Sequence, residues 1–239
     1  MHAIKLLWTG GWDSSYRLLD LALYRSRKVQ PIYVLDPRRK SYVYELRAMA
    51  SIRAGIEARA EARGRVAPVR VYLRSDILED PNITELYHRL ASEVHVGTQY
   101  DWLARLCEQE GLRDLELSLT GHEAGTELQE RLFRNPQYGD FRFREDDFAW
   151  ELFQYYRFPL LSVTKEAMKY DAEAKGFLPL LEQSWFCHSP ILGQPCGHCQ
   201  PCRFSRESRR TIQYSRLGPL LELARRARSS LRSMRTADA

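Results

Sequence analysis

Ala3-Ile4-Lys5-Leu6-Leu7-Trp8-Thr9-Gly10-Gly11-Trp12-Asp13-Ser14-Ser15 is the stretch whose reading decides the fold. Ile4–Trp8 is a short apolar run of strand length, and Tyr16–Leu23 places apolar residues at helical spacing. The glycine- and hydroxyl-rich turn between them therefore joins a strand to a helix. Two glycines let backbone N–H groups approach an anion closely, Ser14 and Ser15 add hydroxyl donors, and the helix that follows points the positive end of its dipole at the same spot. A phosphate suits such a site. It is not the Walker loop, because no lysine precedes the hydroxyls. A plain helix cap starting at Asp13 or Ser14 would use some of the same residues. Adjacent glycines, an aspartate and two serines are more than a cap requires.

Downstream the chain alternates in the α/β manner. Pro31–Leu35, Val66–Leu73 and Leu115–Leu119 read as strands, and Glu45–Arg63 and Gly97–Glu110 as helices. Strands separated by helices imply a parallel sheet whose ligands bind beyond the strands' carboxyl ends. The loops Gly10–Ser15, Asp36–Lys40 and Gly121–Glu127 are then expected to meet.

Near the other end, Cys187, Cys196, Cys199 and Cys202 hold four of the five cysteines within 16 residues. Their spacing, C-x8-C-G-x-C-x2-C, suits a tetrahedral structural Zn²⁺ with Zn–S distances of about 2.3 Å. Gly197 frees the backbone to turn. Two disulfides or an iron–sulfur cluster are the rivals. Met1–Trp8 lacks the charged start and long apolar core of a signal peptide, so a reducing, cytoplasmic setting is expected, which favours metal. Cys107 lies in a helical pattern and is expected to be a small core residue, with His188 and His198 beside the metal or exposed.

The 239 residues and a hydrophobic fraction of 44% allow one sizeable domain with an appendage, and no apolar run approaches membrane-spanning length. The division expected is 1–180 for the α/β domain, 181–215 for the four-cysteine zinc element and 216–239 for a basic helix and tail. The net charge of +5 is uneven, since residues 203–239 carry ten arginines against Glu207, Glu222 and Asp238. Leu217–Leu231 would form an amphipathic helix with Arg225, Arg226 and Arg228 outward, either a solvated face or a patch for nucleic acid or a partner.

Four segments together resemble the 7-cyano-7-deazaguanine synthases of queuosine biosynthesis, a family of PP-loop ATP pyrophosphatases. Thr9–Ser15 is similar to the family's SGGxDS loop, with Thr9 for its first serine. Tyr33–Arg39 followed by Glu45 and Ala48 resembles its strand, basic loop and helix with a fixed glutamate. Phe158-Pro159-Leu160 with Ser162 and Lys165 resembles its TPL…SK segment, and Trp185-Phe186-Cys187 with Cys196–Arg203 its terminal zinc motif. The resemblance implies a PP-loop, HUP/Rossmann-like fold with a small zinc element, commonly dimeric. It implies a ligase that uses ATP, Mg²⁺ and ammonia to turn a deazaguanine carboxylate, such as 7-carboxy-7-deazaguanine, into a nitrile by way of an adenylate and an amide. Thr9, Gly10, Gly11, Ser14 and Ser15 would then hold the phosphates, Asp13 would hold Mg²⁺ or orient the loop, and Lys165 would neutralise charge. Departures fall in substrate-side regions: Gln99-Tyr100 replaces an Arg-Asn pair, and Gly125–Arg131 replaces an aromatic-Pro-Asp-Cys-Arg stretch. The aromatic-rich insert Phe133–Tyr156 would stack on a flat heterocycle or pack a helix. Two other classes fit parts of the pattern: a tRNA-thiolating PP-loop enzyme, and a non-catalytic zinc module binding nucleotide or nucleic acid.

Overall fold

A computed structural model of the chain describes residues 2–121, 126–207 and 213–218. The fold is α/β. Its main sheet has five strands, β1 (Ile4–Leu7), β2 (Val29–Leu35), β3 (Arg70–Leu73), β4 (Leu115–Glu116) and β7 (Tyr156–Arg157). They lie in the order β3-β2-β1-β4-β7, and every pairing among them is parallel. A separate antiparallel hairpin, β5 (Phe133–Asn135) and β6 (Asp140–Phe143), falls between β4 and β7 in the chain.

Side-chain alternation along the strands fills both sides of the sheet. Leu6, Trp8 and Tyr33 join Leu18, Leu19, Ile52, Met168 and Phe177 on one side, supplied by α1 (Trp12–Leu19), α2 (Tyr42–Glu57) and a later helix, Lys165–Ala174. Ile32 and Val34 face the other way, onto Leu90, Leu103, Leu106 and Phe153, under α3 (Pro81–Glu93) and α4 (Gln99–Gln109). Cys107 belongs to this second core and is fully buried, as expected of a small packing residue.

Pro31 stands inside β2, an interior strand, although proline cannot donate to a ladder. The register explains how. Pairing with the next chain segment slips by one residue between the bridge Val29↔Val66 and the pair Ile32↔Arg70, so Pro31 lies at the irregularity. The Gln30 side-chain amide fills the gap, donating to the Pro68 carbonyl at 2.8 Å and the Pro31 carbonyl at 3.1 Å.

Several elements differ from the sequence expectations. The third strand begins at Arg70 rather than Val66 because of this slip. The fourth is two residues long rather than five, its neighbour β7 being equally short. The helix expected over Glu45–Arg63 runs from Tyr42 to Glu57 and closes in a 3-10 turn at Ala60–Ala62. Most aromatics of the insert pack on one another instead of standing ready for a ligand. Phe133 meets Phe141, Phe143 and Phe158, while Phe153 and Tyr156 close on Tyr100. Tyr100, expected from the sequence resemblance to lie on the substrate side, is buried at 4% exposure in that core. All but the first two residues of the expected Leu217–Leu231 helix lie outside the described residues.

Helix α1 continues into a π turn, Asp20–Tyr24, which presents Asp20 to the interior at 2% exposure. The Asp20 carboxylate accepts from Arg25 Nε at 2.6 Å and Lys175 Nζ at 2.8 Å. Lys175 also meets Asp171 at 2.7 Å, and Asp171 accepts from the Tyr16 hydroxyl at 2.6 Å. This network ties α1 to the Lys165–Ala174 helix. Breaking a fully buried ion pair costs about 3–5 kcal/mol, but without Asp20 the Lys175 ammonium keeps Asp171 and the Arg25 side chain is half exposed, so the loss is smaller, about 2–3 kcal/mol. Asp20→Ala is therefore expected to lower the thermal midpoint by roughly 4–12 °C. A calorimetric midpoint within a degree or two of the parent would show that the network contributes nothing.

Candidate functional site

In this strand order the chain moves outward from β1 through β2 to β3, then returns to place β4 on the opposite side of β1. Open parallel sheets bind ligands in the crevice beyond the carboxyl ends at such a reversal. Thr9–Ser15 leaves the carboxyl end of β1, at the reversal itself.

Gly10 is at φ +69, a conformation in which side chains are strained, and a Cβ there would come within 2.7 Å of the Glu45 carbonyl oxygen. Helix α2 thus lies directly against the loop. Gly11 is the N-cap of α1 and has no side chain to bond the helix's first amides. The loop is braced from within. The Thr9 amide donates to Ser14 Oγ at 3.3 Å, the Gly11 amide donates to Thr9 Oγ1 at 3.4 Å, and the Ser15 amide donates to the Gly11 carbonyl at 3.0 Å. The Ser15 side chain is fully buried and its Oγ accepts from the Trp8 indole at 3.0 Å.

The neighbouring loops converge on this one. Glu45, 4% exposed, accepts from Tyr33, Arg39 and Ser41, each at 2.7 Å, which anchors the segment after β2 to α2. The Gly121 amide donates to the Leu161 carbonyl at 3.0 Å, joining the segments after β4 and β7, while 122–125 of the expected Gly121–Glu127 loop are outside the described residues. From the segment after β7, Lys165 Nζ reaches Asp13 Oδ2 at 3.5 Å. Lys165 opens its helix behind the cap Thr164, whose Oγ1 accepts from the Ala167 amide. A cation in a first turn opposes the helix dipole, so its contact with Asp13 has local work to do. The sequence pattern points to Glu45 but not to Tyr33 and Ser41 as its partners. The Tyr33 contact is made only when α2 packs on β2, whereas Ser41 is the N-cap of α2 itself, four residues before Glu45, and is a local partner that the pattern misses.

The four clustered cysteines come together. Their sulfurs lie within 4.8 Å of one another, and the pairs Cys196–Cys202 and Cys187–Cys199 are each 3.9 Å apart. A tetrahedron with Zn–S near 2.3 Å requires sulfurs about 3.8 Å apart. All five cysteines are free, so the disulfide alternative is not adopted. Backbone amides of Cys196 and Cys199 donate to the sulfurs of Cys187 and Cys196 at 3.2 and 3.3 Å, orienting the ligands. Gly197, at φ +80, makes the turn the motif needs. Contact between the two sulfurs pushes the Cys187 thiol up and the Cys199 thiol down. The four cysteines can hold a metal ion such as zinc. His188 is exposed, and His198 Nδ1 lies 3.2 Å from the Cys196 carbonyl oxygen.

The cysteine cluster and the loop adjoin. The Trp185 amide donates to the Gly10 carbonyl at 2.8 Å, and its ring stacks on Tyr44 of α2 at 4.6 Å and 19°. Among the described residues no helix is long and apolar enough to cross a membrane. No family model, curated protein or solved structure matches the chain.

Proposed function

We propose that the chain is a PP-loop ATP pyrophosphatase that adenylates a carboxylate and passes the activated acyl group to ammonia, as the 7-cyano-7-deazaguanine synthases do. The observation that carries the reading is the position of Thr9–Ser15. A loop with two adjacent glycines and no side-chain cap lies at the carboxyl end of the central strand, where the sheet order reverses.

On this reading the loop amides and the Ser14 hydroxyl bind phosphate oxygens, with Ser15 bracing the loop from beneath and Thr9 closing it. Asp13 would repel phosphate by itself, so it would hold Mg²⁺, which offsets the charge of the departing pyrophosphate. Lys165, already against Asp13, neutralises charge on the phosphates or the adenylate. The substrate's carboxylate oxygen attacks the α-phosphorus, the bond to the β-phosphate oxygen breaks, and pyrophosphate leaves. Ammonia then displaces AMP to give the amide, the intermediate on the route to the nitrile. Thiolation is less well supported. It requires a reactive cysteine, and the one outside the cluster, Cys107, is fully buried with its thiol pushed up to about 12 by burial.

The substrate side departs from the family, so the acid is best sought among planar heterocyclic carboxylates, starting with 7-carboxy-7-deazaguanine. The test is a product analysis with ATP, Mg²⁺ and a panel of such acids, with and without ammonium. AMP and pyrophosphate are expected with the right acid. ADP and orthophosphate would sink the assignment. Pyrophosphate release with another acid alone would reject the synthase while keeping the adenylation.

A further inference from the structure

Trp185 has three contacts that no part of the adenylation chemistry uses. Its backbone N–H donates to the Gly10 carbonyl at 2.8 Å, so the loop is held by this residue as well as by its packing on α2. Its indole N–H donates to the carbonyl of Cys187, the first metal ligand, at 2.7 Å. Its ring stacks on Tyr44 of α2 and on Phe186, at centroid distances of 4.6 and 6.3 Å. One residue thus bonds the loop, a metal ligand and the helix that backs the loop. Gly10 is bonded by this strut and packed against the Glu45 carbonyl, where there is no room even for a Cβ.

We propose that Trp185 is a positioning residue that couples the four-cysteine metal centre to the Thr9–Ser15 loop, so that loss of the metal loosens the loop. The metal fixes Cys187, and Cys187 fixes the indole through its carbonyl. The indole, held flat on Tyr44, fixes the amide that bonds Gly10. Without the metal the strut loses its anchored end, and the Gly10 contact must then be maintained by a stack and one hydrogen bond. Coupling of this kind is reciprocal, so anything that orders the loop also raises metal retention. The loop's role in binding nucleotide rests on the function proposed above. The coupling itself does not, and it can be measured with no nucleotide present.

The experiment is amide hydrogen exchange on the full chain, read at Thr9, Gly11 and Ser15, whose amides are bonded within the loop. Three proteins are compared, each with metal and after chelator treatment: the parent, Trp185→Ala, and Trp185→Phe, which keeps the ring and the backbone donor but loses the indole N–H. Removing metal from the parent is expected to speed loop exchange about ten-fold, the scale of one stacking contact and one hydrogen bond. Metal-loaded Trp185→Ala is expected to show a similar acceleration with its metal content retained, and chelation should then add little, because the route is already cut. Trp185→Phe should fall between the two and serves as the test if the alanine variant does not fold. Loop exchange that ignores the metal in the parent, or that responds to it equally in the parent and both variants, would overturn the coupling. Nucleotide binding, titrated separately on the same proteins, reports on the functional reading alone.

Discussion

Cys199→Ser is expected to strip the chain of its metal and to open the segment from Ser184 to Arg203. A structural zinc contributes on the order of 10 kcal/mol of folding energy in small metal-dependent elements, because no preformed site exists in the unfolded chain. Here little else could replace it. The cluster's own apolar neighbours are Trp185, Phe186, Ile191 and Tyr214, all only partly buried. Its secondary structure is one two-residue bridge, Ile191↔Gln194, and the helix Gln200–Glu207 that carries Cys202. A serine at position 199 withdraws one thiolate of four, and without the cation nothing balances charge on the remaining crowded sulfurs. Elemental analysis should find one zinc per parent chain and a small fraction of that in the variant, and limited proteolysis should cut within the opened segment. The sheet, whose two cores lie elsewhere, should remain folded. Iron with visible absorbance in the parent would replace zinc by a cluster, and full metal retention in Cys199→Ser would remove Cys199 from the ligand set.

What can be read from sequence divides along the range of the interactions involved. The Thr9–Ser15 loop and the cysteine cluster are legible because each is a local pattern: glycines and hydroxyls after an apolar run, and thiols at a spacing that lets one ion collect them. Strand and helix types follow from periodicity, but their ends do not. The slip at Pro31 and the two-residue length of β4 are set by neighbouring strands, which no window of sequence contains. Helix α3 is absent from the sequence expectations although its signal is local. Asp80 accepts from the amides of Asn82 and Ile83, and Pro81 takes the first turn, where its missing N–H costs nothing. The aromatic insert is ambiguous for a physical reason, since rings that bind a heterocycle and rings that pack on one another have the same composition. Contacts such as Phe133 with Phe143 and Phe153 with Tyr156 show the second use. Trp185 reads in sequence only as a motif's flank, because its partners Gly10 and Tyr44 are more than a hundred residues away.

The two loop glycines are expected to respond in opposite ways, and the contrast separates folding from function. Gly10→Ala puts a side chain at φ +69, which costs roughly 1–2 kcal/mol, and drives a Cβ to 2.7 Å from the Glu45 backbone oxygen. Backbone cannot swing aside as a side-chain tip can, so overpacking adds about 1–3 kcal/mol. A loss of about 2–5 kcal/mol, with a correspondingly lower thermal midpoint, is the expected result for Gly10→Ala. Gly11 is at φ −74, which any residue adopts, and a Cβ there would meet only Thr9 Oγ1 at 3.2 Å and the Trp185 carbonyl at 3.8 Å. Its replacement by alanine should cost under about 1 kcal/mol. On the proposed function, that same methyl stands where phosphate must approach the backbone, so Gly11→Ala should release pyrophosphate at least about ten-fold more slowly while folding normally. Undiminished turnover in Gly11→Ala would mean that phosphate does not approach the loop there. A Gly10→Ala protein as stable as the parent would mean that α2 does not press on the loop as closely as Glu45 indicates.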